Sequence, residues 1–140
     1  MGYTAPGEYT LSISAYHTSP LDSTTYYIGN VYEVWSTVQG HYQIYIPKSG
    51  RITVAEILIW NSGGAGTSED TPFSIRKNNT TDYSINPAVH FDASVVRVTN
   101  VALNIPVNAG DYIEVKIVTP AWVTNPLLTY LQGNILIETP

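Results

Sequence analysis

His17, His41 and His90 are the side chains of this sequence best suited to proton transfer or metal ligation near neutral pH. They fall in or beside different loops, and none has a second histidine at the spacing a zinc site uses. His90-Phe91-Asp92 sets an imidazole beside a carboxylate, as a relay to a nucleophile would. No serine stands in a Gly-x-Ser-x-Gly elbow, however, and the chain has no cysteine, so no nucleophile can be named and thiolate metal sites and disulfides are excluded. Ser62-Gly63-Gly64-Ala65-Gly66-Thr67-Ser68 follows a strong strand pattern, where a phosphate-binding loop would lie. It carries no lysine and runs into Glu69-Asp70, whose charge repels phosphate, so it reads as a flexible connection. The other acids are spread along the chain and mark no glycosidase carboxylate pair. Asp22, Asp82 and Asp92 lie in loops that suit calcium, but the twelve-residue acidic helix-loop pattern is absent. The expectation is a protein that is not an enzyme, with no catalytic residue, no metal ligand set and no cofactor.

Aromatic residues carry more information. Eleven tyrosines are present, of which Tyr27, Tyr45, Tyr112 and Tyr130 are expected on faces turned away from the core, with Trp35 and Trp122 in long connections. Tyr and Trp combine a large apolar area with a polar handle, which suits a subunit or partner interface, a platform for stacking sugars, or simply the filling of a sandwich and its loop ends. Charged residues make up 12% of the chain, about half the usual share, so the surface owes its polarity to Ser, Thr, Asn and Tyr. The net charge is -5, and Lys48, Arg51, Arg76, Lys77, Arg97 and Lys116 are scattered, which leaves no basic stripe for nucleic acid. Residues 1–8 lack the charged start and apolar run of a secretory signal, and no apolar stretch is long enough to span a bilayer as a helix. The chain is therefore expected to stay in the compartment where it is made, without a membrane partner. Asn78-Asn79-Thr80-Thr81 holds two overlapping N-glycosylation acceptors but reads better as a polar turn.

The elements that would position these residues are short strands. Almost every apolar segment alternates with period two and ends at Gly, Pro, Asn or Asp. Residues 111–118 point Ile113, Val115 and Ile117 one way and Tyr112, Glu114 and Lys116 the other. Residues 8–16 send Tyr9, Leu11, Ile13 and Ala15 inward, and Tyr42, Ile44 and Ile46 do likewise before the turn Pro47-Lys48-Ser49-Gly50. Val101, Leu103, Ile105 and Val107 share a face of a strand that Pro106 ends or confines to an edge. Residues 52–60 are apolar on both faces apart from Glu56, which predicts a central strand covered by a second sheet and a loop or, in the preferred reading, by a neighbouring subunit. With further strands at 26–28, 73–77, 83–85, 95–98 and 129–138, eight to ten strands are joined partly by long connections near 17–41, 61–72, 86–94 and 119–128. Long crossings favour a two-sheet Greek-key or jelly-roll sandwich over a meander. One domain suffices for 140 residues.

Four segments also carry a resemblance: Ile46-Pro47-Lys48-Ser49-Gly50-Arg51-Ile52-Thr53, Phe73-Ser74-Ile75-Arg76-Lys77-Asn78, Val107-Asn108-Ala109-Gly110-Asp111-Tyr112-Ile113-Glu114-Val115 and Gln132-Gly133-Asn134-Ile135-Leu136-Ile137-Glu138. Their order resembles the jelly-roll domains of the tumour necrosis factor and complement C1q type over about residues 42–138. Gly66-Thr67-Ser68-Glu69 before Ile75-Arg76-Lys77-Asn78, with Pro120-Ala121-Trp122-Val123-Thr124-Asn125-Pro126 later, is similar to small tailed-bacteriophage virion proteins, especially head decoration (cement) proteins. The resemblance implies an all-β jelly-roll β-sandwich of two antiparallel sheets that forms a homotrimer on the capsid surface and binds the major capsid protein. It implies an N-terminal arm and first strands at 1–30, with Tyr3, Tyr9, Tyr16, Tyr26 and Tyr27 facing the capsid, and a jelly-roll domain at 31–140. Ile57, Ile59, Trp60, Tyr112 and Tyr130, expected on apolar outer faces, would form the trimer interface. The alternative on the same fold is the receptor-binding tip of a tail fibre, with loops carrying Tyr32, Trp35, His90 and Trp122 engaging host glycans.

Overall fold

Ten β-strands and no helix organise residues 7–140, which are the residues described by the computed structural model. Tyr3, expected in a capsid-facing arm, lies outside them. The strands are β1 (Gly7–His17), β2 (Thr25–Ile28), β3 (Ile44–Tyr45), β4 (Gly50–Asn61), β5 (Thr71–Lys77), β6 (Thr81–Val89), β7 (Val95–Asn100), β8 (Ile105–Val107), β9 (Tyr112–Val118) and β10 (Thr129–Thr139). They form two antiparallel sheets. The first has the order β1-β10-β4-β7, with β8 on the same strand β4; the second has the order β2-β9-β5-β6, with β3 on β9.

The period-two pattern explains how the sheets meet. Ile113, Val115 and Ile117 of β9 are fully buried beside Phe73 and Ile75 of β5, and they face Ile52, Ile57, Ile59, Ile135 and Ile137 of the first sheet across one core. Isoleucine suits this layer because its branched side chain packs on a pleated surface, and each such burial contributes roughly 1.5–3 kcal/mol. Pro106 is accommodated because β8 pairs with β4 alone.

Strand β4 departs from the expected pattern. Its pairing with β10 shifts between Ile137↔Ile52 and Leu136↔Val54, so Thr53 is an extra residue, and Ile52 and Ala55 both point inward although three apart. Beyond this bulge Ile57 and Ile59 are 2% and 0% exposed in the core, not on the outer face where a trimer contact had been expected. Trp60 is exposed instead, because successive residues of a strand face opposite ways and Ile59 and Trp60 cannot share a side.

Residues 7–30 are also built into the sandwich. β1 pairs with β10 from Gly7↔Thr139 to His17↔Thr129, and β2 pairs with β9, so residues 7–30 supply a strand to each sheet. Tyr26 is 1% exposed and its hydroxyl accepts the Leu21 N–H, while Tyr27 is also buried; neither offers the open capsid-facing surface expected of it. Tyr9 and Tyr16 are half-buried on β1. Trp35 and Trp122 do lie in long connections but turn inward, packing with Tyr26, Phe73 and Phe91 at one end of the core.

Candidate interaction surface

The outer face of the first sheet is a grid set by strand register. Tyr16, Tyr130, Trp60 and Val95 are direct cross-strand neighbours on β1, β10, β4 and β7, and so form one transverse row. The next row is Ser14, Gln132, Leu58 and Arg97; the third is Ser12, Asn134, Glu56 and Thr99. Directly opposed side chains lie about 5 Å apart at Cβ, so each row is a continuous surface.

The first row is aromatic. Trp60 and Tyr130 have ring centroids 5.8 Å apart. Tyr32, from the connection after β2, lies 5.1 Å from Tyr16 and stacks on Tyr130 at 6.4 Å with an 11° interplanar angle. This connection is held down by backbone bonds from the Tyr16 N–H to the Glu33 oxygen and from the Trp35 N–H to the Tyr16 oxygen, each 3.0 Å. Such ring pairs contribute about 0.5–1.5 kcal/mol each beyond their buried area. Even so, Trp60, Tyr32 and Val95 remain 54%, 50% and 52% exposed. The result is an apolar strip and groove at one end of the sheet, with a nearly neutral polar field beside it.

Of the residues expected in one interface, the fold brings Trp60 and Tyr130 together and puts Tyr112 on the other sheet. There Tyr112 meets the exposed Tyr45 edge-on at 5.8 Å, and the Tyr45 hydroxyl accepts a bond from the Gln43 amide. That second face is ionic. Asp82 receives Arg76 at 2.9 Å and Lys116 at 2.8 Å. Burial opposes ionisation of Asp82, but the hydrogen bonds and charges of Lys116 and Arg76 outweigh it and hold the carboxyl below its ordinary value. Glu114, expected on an open polar face, is 1% exposed because the backbone at 40–42 folds over it, donating the Gly40 and Tyr42 N–H groups at 2.8 and 3.3 Å. Burial raises its carboxyl above the ordinary value, and these two donors offset part of the effect.

The candidate chemical groups stay apart. His17 sits edge-on to Tyr26 and Trp35, and burial lowers its pKa. His41 Nδ1 is 2.8 Å from the Ser36 hydroxyl, and His90 Nε2 is 2.7 Å from Asp70. Among the described residues no group of three or more His, Cys, Asp or Glu is placed to hold a metal ion. The glycine-rich 62–68 connection is laid against 124–128: the Ser62 N–H bonds to the Leu128 oxygen, the Thr67 N–H to the Thr124 oxygen and the Gly66 N–H to the Phe91 oxygen. A Cβ at Gly66 would meet Pro126 and the Thr124 oxygen within 3 Å, which accounts for the glycine there. With the Ser62, Gly66 and Thr67 amides engaged within the chain and Glu69 and Asp70 following, the connection lacks the converging free amides and positive charge of a phosphate cradle. Glu69 caps the same junction, and the Thr67 hydroxyl and Val123 N–H hold its carboxyl below the ordinary value.

These features define an all-β sandwich with an exposed aromatic strip on one sheet. Comparison with known proteins gives no match: no protein-family model, curated protein or solved structure aligns with the chain. Among the described residues no helix is long and apolar enough to cross a membrane.

Proposed function

We propose that this chain is a structural virion protein, a homotrimeric decoration (cement) protein that binds the major capsid protein on the outside of a phage head and stabilises the shell. The observation that carries the reading is the aromatic strip of Tyr16, Tyr32, Trp60 and Tyr130, in which Tyr32 and Trp60 are exposed and Tyr16 and Tyr130 half-buried, on a sheet face made mostly of neutral residues. Contiguous exposed apolar surface with a polar surround is the usual sign of a protein contact. The nested strand pairing, β1 with β10, β2 and β3 with β9, β4 with β7 and β8, and β5 with β6, supports a jelly-roll reading of the two-sheet sandwich.

The mechanism is thermodynamic. A trimer that binds only the mature shell stabilises that state by mass action, and three linked sites act at high effective concentration. Light scattering after size exclusion is the first test, with a species of three times 15.4 kDa expected. Co-sedimentation with undecorated heads is the second. A chain that stays monomeric and passes heads by would refute the reading.

A second reading, the receptor-binding tip of a tail fibre, is favoured by the stacked Tyr32 and Tyr130 rings beside Ser14, Ser62 and Gln132, an arrangement that suits a sugar ring and its hydroxyls. Trp35 and Trp122 take no part in it, being buried. Binding to host cells or a glycan panel, lost in Tyr32→Ala, would select this reading over the first.

A further inference from the structure

We infer that Glu56 of one copy pairs with Arg97 of the next, and that this ion pair sets the register in which copies of the chain meet. The inference rests on the reading of the first sheet's outer face as the contact between copies. Across the three rows that run from Tyr16 to Val95, from Ser14 to Arg97 and from Ser12 to Thr99, Glu56 and Arg97 are the charged residues, and they have opposite signs. Both are exposed. They are diagonal neighbours, Glu56 lying opposite Thr99 and Arg97 opposite Leu58, yet no ion pair or hydrogen bond joins them, and among the described residues neither side chain has another polar partner. Of the other basic residues, Arg51, Arg76, Lys77 and Lys116 have partners within the chain, and Lys48, which lies off this face in the turn before β4, has no side-chain partner among the described residues.

A face with one acid and one base side by side is complementary to a second copy of itself. In a closed ring each copy offers Glu56 to one neighbour and Arg97 to the other, so every charge is matched when the ring closes. An anionic or cationic partner would match one of the two and bury the other unpaired, at a heavy desolvation cost. The same cost fixes register: sliding the contact by a row would set Glu56 against the aromatic strip. Ser12, Gln132, Asn134 and Thr99 surround the pair with neutral donors and acceptors that tolerate the close approach of another chain.

Charge exchange tests this. Glu56→Arg, Arg97→Glu and the double variant E56R/R97E are compared with the parent chain by light scattering and sedimentation at matched concentrations, with circular dichroism to confirm the sandwich. Both sites are exposed, so folding is expected to survive. Each single variant is expected to dissociate at least about tenfold more readily, because like charges then face each other at every contact, and the double variant to recover the parent's assembly. Single variants that assemble like the parent, or a double variant no better than either single, overturn the pairing. If Trp60→Ser dissociates while the charge variants do not, the pairing alone is wrong. A parent chain that is monomeric throughout overturns the underlying reading of the face as well.

Discussion

Replacing Trp60 with serine is expected to separate assembly from folding. A tryptophan carries about 250 Å² of surface, and at 54% exposure about 130 Å² remains to be covered by a neighbour. At about 25 cal/mol per Å², covering it contributes about 3 kcal/mol per contact, or about a hundredfold or more in dissociation constant. Within its own chain the remainder of Trp60, about 115 Å², is already covered, in part by Tyr130, so on the same scale the substitution should also lower the stability of the protomer, by up to about 3 kcal/mol or roughly ten degrees in Tm. The two quantities are read by sedimentation equilibrium across a concentration series and by thermal unfolding of the dissociated chain. Association weakened by two orders of magnitude in a protomer that remains folded at the assay temperature is the expected result. Unaltered association would show that no partner covers the strip in the oligomer, and a chain that no longer folds would show that Trp60 serves chiefly the protomer's own packing.

Two further outcomes follow from the packing. Gly133→Ala should cost about 3 kcal/mol, the upper end for overpacking, because the new methyl would collide with the Glu56 carbonyl oxygen and lie 2.8 Å from Ile57 Cα in the middle of the first sheet. Gly7→Ala, which among the described residues meets only the Thr139 hydroxyl, at 3.1 Å, should change denaturant midpoints little, and equal effects at the two glycines would contradict the geometry. Glu114 gives a pH signature. Since burial raises its pKa in the folded chain, the folded state holds its proton more tightly than the unfolded state, and stability from this group falls as pH rises from the ordinary value of 4.5 through the raised one. The stability of the parent relative to Glu114→Gln, followed by urea unfolding, should therefore decline over that window; a difference independent of pH would refute the assignment.

Strands that meet the core on one side were legible from alternation alone. Ile113, Val115 and Ile117, or Ile13 and Ala15, have polar or small neighbours that fix which way each residue faces. Strand β4 defeated that reading. Val54, Leu58 and Trp60 on its outer side are as apolar as Ile57 and Ile59 on its inner side, and the bulge at Thr53 shifts the phase without any compositional mark. Tyr26 and Tyr27 show a related limit, since both are buried although adjacent residues point to opposite faces. Trp60 and Tyr130 could be singled out as aromatics on outer faces, whereas their alignment with Tyr16 and Val95 depends on the register of four strands far apart in the chain. The link between Tyr32 and that row comes from the fold of a long connection with no periodicity to read. Glu114 was legible as outward-pointing, but its cover at 40–42 was not, because nothing local signals where a distant loop will lie.

The long pairing of β1 with β10 gives the molecule a polarity useful at the bench. Gly7 and Thr139 are neighbours, and Tyr16 and Tyr130 lie nine steps further along the same ladder, about 30 Å away at the usual rise of a strand. A tag, fluorophore or displayed peptide joined through either Gly7 or Thr139 therefore leaves from one pole while the aromatic row occupies the other. Cargo can be joined through either of these two residues with the strip left clear, and two different passengers attached there would be held side by side.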